Sequence, residues 1–372
     1  MSDDNDTNDT PQLPAIQSRI LDASVEIEQE DPLEIVYQHS LFCQVALPRS
    51  RPKERVFERS YRNGSVKMQA GELWNGHQWL EQPLPAGPKP RLALMHFNSQ
   101  AVKTRSPYID IGNSCAEFLR RLGLNDQDGR TYAQFKREMQ ALAACRLTLG
   151  YTEGGRIITV NTQPVEEFSA WLAVSNDEQA LWPAHLELSR RYLDSLLEHA
   201  VPLDARACGA LAHSAMALDI YSFFARRLHT LQKPVKVTWH QFHGQFGQEY
   251  SEWRNFKQRF LPAIRAALTV YPSAKIEEVT GGLLLKPSLP PVHACSVAVS
   301  HGLAAQVRAT LPTPVVKSLR PTTVERFRTL YPRIDPYTCK DAFDSWLGAK
   351  EAPKHYDAAF LGFAKKWVKG KF

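Results

Sequence analysis

Arg254, Asn255, Gln258, Arg259 and Arg265, with Lys257 beside them, stand opposite an apolar stripe of Trp253, Phe256, Phe260, Ile264 and Ala267. Three- and four-residue spacing puts the two sets on opposite sides of a helix. Guanidiniums bond guanine edges in pairs and side-chain amides bond adenine edges, each good pair discriminating by ~1–3 kcal/mol. The pattern therefore suits a helix read against the major groove of duplex DNA. A second, weaker set is Lys136 and Arg137, opposite Tyr132, Phe135, Met139, Leu142 and Ala143, with Glu138 expected to offset their charge.

Other chemistry is not visible. The phosphate-cradling G-x-x-x-x-G-K-[ST] pattern is missing, His240 and His243 do not form an H-E-x-x-H frame, and no nucleophile elbow or paired carboxylates stand out. The reading is a non-enzymatic binder with no catalytic residue, metal or cofactor.

The elements that would carry these residues form a repeat. Residues 110–162 and 237–288 each read as a short helix, a turn, a longer helix containing Phe-Lys, and two β segments joined through Gly-Gly. Gly154-Gly155 and Gly281-Gly282 supply the positive φ of a tight hairpin. Such a unit is a winged helix-turn-helix. Arg156 and Lys286 on the two hairpins, or wings, are candidates for phosphate contacts beside the groove. The fold class expected is α+β, with two tandem winged helix-turn-helix domains and a small helical C-terminal domain.

Charge supports this. The chain of 372 residues carries a net +6, yet residues 1–35 hold ten acidic residues and one Arg, leaving +15 on the remainder. Residues 1–35 are expected to form an acidic disordered tail, because so polar a segment buries too little to offset ordering entropy. The six cysteines lie at least 30 residues apart and suggest neither a zinc site nor a disulfide framework. With no signal-peptide pattern and no apolar run of membrane-spanning length, a cytoplasmic protein without a membrane partner is expected.

The expected organisation is an N-terminal domain over 36–200 with its winged-helix core at 90–162, a DNA-reading winged helix over 201–288, a Pro-containing linker over 289–318, and the helical domain over 319–372. Within it, "RLALMHFNSQAVKT" opens the first unit and "PYIDI" is its leading strand. Asp204 caps one long helix running through "ARACGALAHSAMALDIYSFFARRLHTL", and Thr238 caps the short helix "WHQFHGQFG". Pro262 should kink or end the helix that carries Arg254.

The segments "LALMHFNSQAVKTRSPYIDIGNSCAEFLRRLGL", "YLDSLLEHAVPLDARACGALAHSAMALDIYSFFARRLH" and "FKQRFLPAIRAALTVYP" resemble plasmid-encoded RepA-type replication initiators over about residues 40–290, and "VERFRTLYPRIDPYTCKDAFDSWL" resembles a tail found on some members. The resemblance implies a protein that binds repeated origin sequences (iterons) in double-stranded DNA, promotes origin opening, recruits host helicase and initiator proteins and takes part in copy control. It further implies that Arg254, Asn255, Gln258 and Arg259 of the second unit read bases, while the first unit supplies phosphate contacts or a homodimer interface. The alternatives are a winged-helix transcriptional repressor, or an adaptor whose winged units bind proteins rather than DNA.

Overall fold

A computed structural model describes residues 14–112, 114–124, 129–153, 155–167, 185–292, 319, 321–331, 334–347 and 356–369. They fall into two compact units, within residues 1–304 and 305–372. The fold is α+β. The linker expected at 289–318 lies almost wholly outside the described residues, as do residues 1–13.

The larger unit opens with helix α1 (Ala15–Gln29), where a disordered tail was expected. Composition hid an apolar stripe, Ile16, Ile20, Ala23 and Ile27, at three- and four-residue spacing. Ile20 and Ala23 are buried, and the Arg206 guanidinium donates to the backbone carbonyls of Glu26 and Glu30 at 2.9 and 3.0 Å, satisfying acceptors the helix end leaves free.

Strand β1 (Ile35–His39) follows, then β2 (Val56–Tyr61), β3 (Gly64–Gln69), β4 (Glu72–Trp74) and β5 (Trp79–Glu81). Helix α2 (Pro88–Thr104) starts at Gly87, whose φ of 85° turns the chain, and proline fits a first helical turn that needs no amide donor. This helix is buried along most of its length. Next come β6 (Tyr108–Asp110), α3 (Cys115–Arg121), α4 (Gly129–Ala144), β7 (Arg146–Glu153), β8 (Arg156–Thr162) and β9 (Val165–Glu167), then β10 (His185–Leu188), α5 (Arg190–His199) and β11 (Ala200–Asp204). The hairpin β7–β8 does not stand alone: it extends a four-stranded antiparallel sheet in the order β2-β3-β7-β8, while β6 pairs with β10.

The long helix expected after Asp204 is two. Asp204 does cap the first, α6 (Ala205–Ala210), accepting from the Arg206 amide at 2.9 Å. The chain then breaks, and Ser214 caps α7 (Ala215–Leu228) by accepting from the Ala217 amide at 3.2 Å. A serine that bonds a free amide begins a helix rather than continuing one. Strand β12 (Val235–Thr238), α8 (Trp239–Phe246), α9 (Trp253–Thr269), β13 (Ile276–Val279) and β14 (Gly282–Leu285) complete the unit, with the strands ordered β12-β14-β13.

A single apolar core runs from Ile20 to Leu285. Strand β1 pairs antiparallel with β11, Ile35 opposite Asp204 and His39 opposite Ala200, so the expected division at residue 200 falls within a region of continuous packing.

The smaller unit consists of α10 (Pro321–Leu330), α11 (Pro336–Leu347) and α12 (Tyr356–Lys369). Phe327, Phe343 and Phe360 are fully buried among them.

Candidate nucleic-acid interface

Helix α9 is placed by the short helix before it and by a bond at its far end. Upstream, Thr238 and Gln241 form a capping box: the Gln241 amide donates to Thr238 Oγ1 at 3.2 Å and the Thr238 amide to Gln241 Oε1 at 2.8 Å, which fixes the start of α8. Downstream, Ser24 Oγ of α1 donates to the Thr269 carbonyl at 2.7 Å. Between these ends Phe256, Phe260, Ala263, Ile264 and Ala267 are buried, and the rings of Phe256 and Phe260 stack with centroids 4.6 Å apart. This stripe anchors α9 to α7, itself buried for nearly its whole length.

The opposite face is left to solvent. Arg254, Asn255, Gln258, Arg259 and Arg265 are all exposed, so the structure brings these five residues onto one open helix face. Lys257 is half-buried at the edge, its ammonium 5.8 Å from the centre of the Trp239 ring. Trp253, assigned to the apolar stripe from sequence, is 41% exposed and meets the His243 ring edge-on instead. Pro262 neither ends nor interrupts the helix. It lies on the exposed face, where water can take the carbonyl of Gln258 that its missing N–H leaves unpaired.

The hairpin β13–β14 turns at Gly281, whose φ is 81°, and Gly282 packs directly against β12. A Cβ on Gly282 would come within 2.1 Å of the Val237 carbonyl oxygen. Lys286, placed on this hairpin as a phosphate contact, forms an ion pair with Glu277 of the neighbouring strand. Its charge is therefore partly answered within the chain.

In the earlier segment Arg137 and Arg156 are exposed and Lys136 is half-buried, the two α4 residues and the β8 residue lying on other elements than α9. Gly155 turns the hairpin with φ 79°; Gly154 lies outside the described residues. Glu138 does not offset the surface charge. It is buried, accepting from the Ala86 amide at 2.9 Å and from Arg51.

What the sequence left unread is a buried ionic network behind α8 and α9. Asp219 on α7 accepts from Arg91 of α2 at 2.7 and 3.0 Å and from Arg49 at 3.2 Å. Arg91, 2% exposed, also donates to the carbonyls of Leu47, Pro48 and Gly87 at 2.6, 2.9 and 2.7 Å. Arg59 bonds Glu249 at 2.7 Å, and Glu249 also accepts from the Arg49 amide at 3.3 Å. Glu249 lies in the α8–α9 turn, so the network ties that turn to α2, α7 and the β2 strand. Of the basic run in the sequence, Arg49 and Arg51 are spent on buried carboxylates, Asp219 and Glu138, while Arg55 pairs with Glu81 at the surface. Nothing local separates such an arginine from a surface one; its partner lies far along the chain.

The architecture is that of an α+β protein in which two helix–helix–hairpin segments share one core, the second presenting a cationic helix face. Over residues 84–241 the chain matches the family described as plasmid encoded RepA protein. The matched stretch runs from the approach to α2 into α8 and stops short of α9. Two solved structures are similar at low identity. One is the selenomethionine derivative of domains 2 and 3 of RctB, 12% identical, covering 67% of this chain and 96% of that one with a TM-score of 0.42. The other, of RctB domains 2–3, is 10% identical and covers 71% and 99%, with a TM-score of 0.40. Likeness at this level carries nothing further. No curated protein matches the chain. No helix among the described residues is long and apolar enough to cross a membrane.

Proposed function

We propose that this chain is a non-enzymatic, cytoplasmic plasmid replication initiator that binds repeated origin sequences through α9. In this reading α7, β12, α8, α9 and the β13–β14 hairpin form a winged helix, with β12 as the strand that closes its small sheet. The segment α2, β6, α3, α4 and β7–β8 is a second winged helix whose wing has been absorbed into the four-stranded sheet. Lys136, Arg137 and Arg156 of that segment supply phosphate contacts or border a homodimer interface. Origin opening, recruitment of host helicase and copy control follow from binding at the repeats.

The observation that carries the reading is the exposed face of Arg254, Asn255, Gln258, Arg259 and Arg265, held rigid by the buried stripe behind it. Residues that merely solvated a helix would not need the ionic network that holds the α8–α9 turn and the α1 bond to the end of this helix.

The test is binding of the full chain to duplexes carrying direct repeats from its own plasmid, against random duplex of equal length. Arg254→Ala or Arg259→Ala should weaken repeat binding by ~1–3 kcal/mol for each base pair read, roughly 5- to 150-fold, and leave random duplex much less affected. Lys286→Ala should weaken both duplexes alike and only slightly, because Glu277 already holds that ammonium. Unchanged affinity for the repeats in both arginine variants would remove α9 from the interface.

A further inference from the structure

Arg62, Arg226 and Arg227 meet in a cleft of about 350 Å³ that the proposed interface does not use. Arg226 and Arg227 stand in the last turn of α7, and Arg62 reaches in from the β2–β3 turn. Gln44, Asn63 and Gln245 complete its polar lining, and no carboxylate lines it. The nearby acids are committed elsewhere: Asp219 to Arg49 and Arg91, Glu249 to Arg59.

Cations gathered without counter-charge are costly, the more so when partly buried. Burial is the main influence lowering the pKa of Arg226, and Arg227 adds to it; for Arg227 burial again leads, followed by Arg62. The negative pole of α7 offsets part of the charge on its own two arginines. It does not reach Arg62, which stands exposed on a different element, its guanidinium 5.4 Å from the centre of the Tyr61 ring at the rim of the cleft.

Two further observations bear on the same place. Arg62 has a φ of 53°, in the left-handed region, at a two-residue hairpin turn where glycine would be free of strain. Its neighbour Asn63 lines the cleft as well. Gln245 is 1% exposed; its Nε2 donates to the Gln44 carbonyl at 2.9 Å, while its Oε1 meets no hydrogen-bond partner among the described residues. Strain and an unanswered buried polar atom tend to persist where a ligand is served.

We propose that this cleft binds a phosphate ester, its three guanidiniums holding the phosphate oxygens and Gln245 Oε1 accepting from a hydroxyl or amine of the same ligand. The phosphate comes either from a free nucleotide or from a strand of the bound duplex. Arginine is suited to both, since its planar fork engages two phosphate oxygens at once.

The experiment uses the full chain, Arg226→Gln/Arg227→Gln and Arg62→Gly, with pyrophosphate, ATP and duplex DNA as probes. Arg62→Gly is the control for folding, because glycine relieves the strained turn; its melting temperature should equal or exceed that of the parent. A bound anion raises the melting temperature of the parent by mass action. If the source is a free nucleotide, pyrophosphate and ATP bind the parent, both variants bind them at least tenfold more weakly, and duplex binding is unchanged. If the source is DNA, duplex affinity falls in both variants, and for the double variant the slope of log K against log salt is shallower by about two, since each lost phosphate contact removes ~0.9. Folded variants equal to the parent with all three probes overturn the proposal. Substitutions at Arg254 or Arg259 leave the pyrophosphate response intact, which separates failure here from failure of the α9 reading.

Discussion

Asp219 is the acceptor for two guanidiniums inside the protein, and its removal would leave Arg91 buried among carbonyls with no anion. A buried ion pair adds little over a well-packed apolar substitute, but deleting one partner strands the other charge, at a cost of ~3–5 kcal/mol. Asp219→Ala should therefore lower the unfolding free energy by about that amount, measured by urea denaturation. A loss below ~1 kcal/mol, the range of surface pairs, would show that water reaches Arg91. The sequence could not disclose this pairing: Asp219 and Arg91 lie 128 positions apart, and neither neighbourhood marks its charge as internal. The residues of α9 were legible because their partners are their own helical neighbours. Periodicity alone sorts Phe256, Phe260 and Ile264 from Arg254, Gln258 and Arg259. The same logic explains the misplacement of Trp253, which falls on the stripe by spacing but is the first residue of the helix and stays 41% exposed.

At the level of elements, the repeated order of short helix, long helix and hairpin could be read from the chain, and so could the glycine turns, since Gly155 and Gly281 do adopt positive φ. How the strands pair could not. Each hairpin reads alike locally, yet β7–β8 joins β2–β3, whereas β13–β14 joins β12, a choice made by segments far away in sequence. Helix α1 was hidden by its acidity, and the break between α6 and α7 by the Ala-rich run around Ser214. Gly282 has a sharper role than the turn that suggested it. It gives β14 close passage beside Val237 and Thr238, the residue that caps α8. Gly282→Ala should cost ~1–3 kcal/mol by overpacking. Because the strain lands on the α8 cap, repeat-DNA affinity should fall along with stability. Thermal melts and duplex titrations on one preparation would check both; a stable variant with intact binding would mean that β12 shifts freely.

On the scale of the whole molecule, the core of residues 14–292 does not divide at the boundary between the two helix–hairpin segments. Asp219 reaches Arg91, β11 needs β1, and Val292 packs with Ile35 and Tyr37. A fragment of residues 201–292 should therefore show no cooperative urea transition, while residues 14–292 should unfold in a single one, followed by circular dichroism. A cooperative transition in the shorter piece would establish the second segment as an independent folding unit. The pairing of β1 with β11 carries a consequence for how the protein is made. His39 leaves the ribosome long before its partner Ala200 is synthesised, and α1 waits longer still for Thr269. At roughly 5–20 residues per second, the nascent chain holds an unmatched strand edge for about 8–30 s. During that interval, chaperone capture competes with native closure, so the supply of active protein in a growing cell is tied to the speed of its own translation.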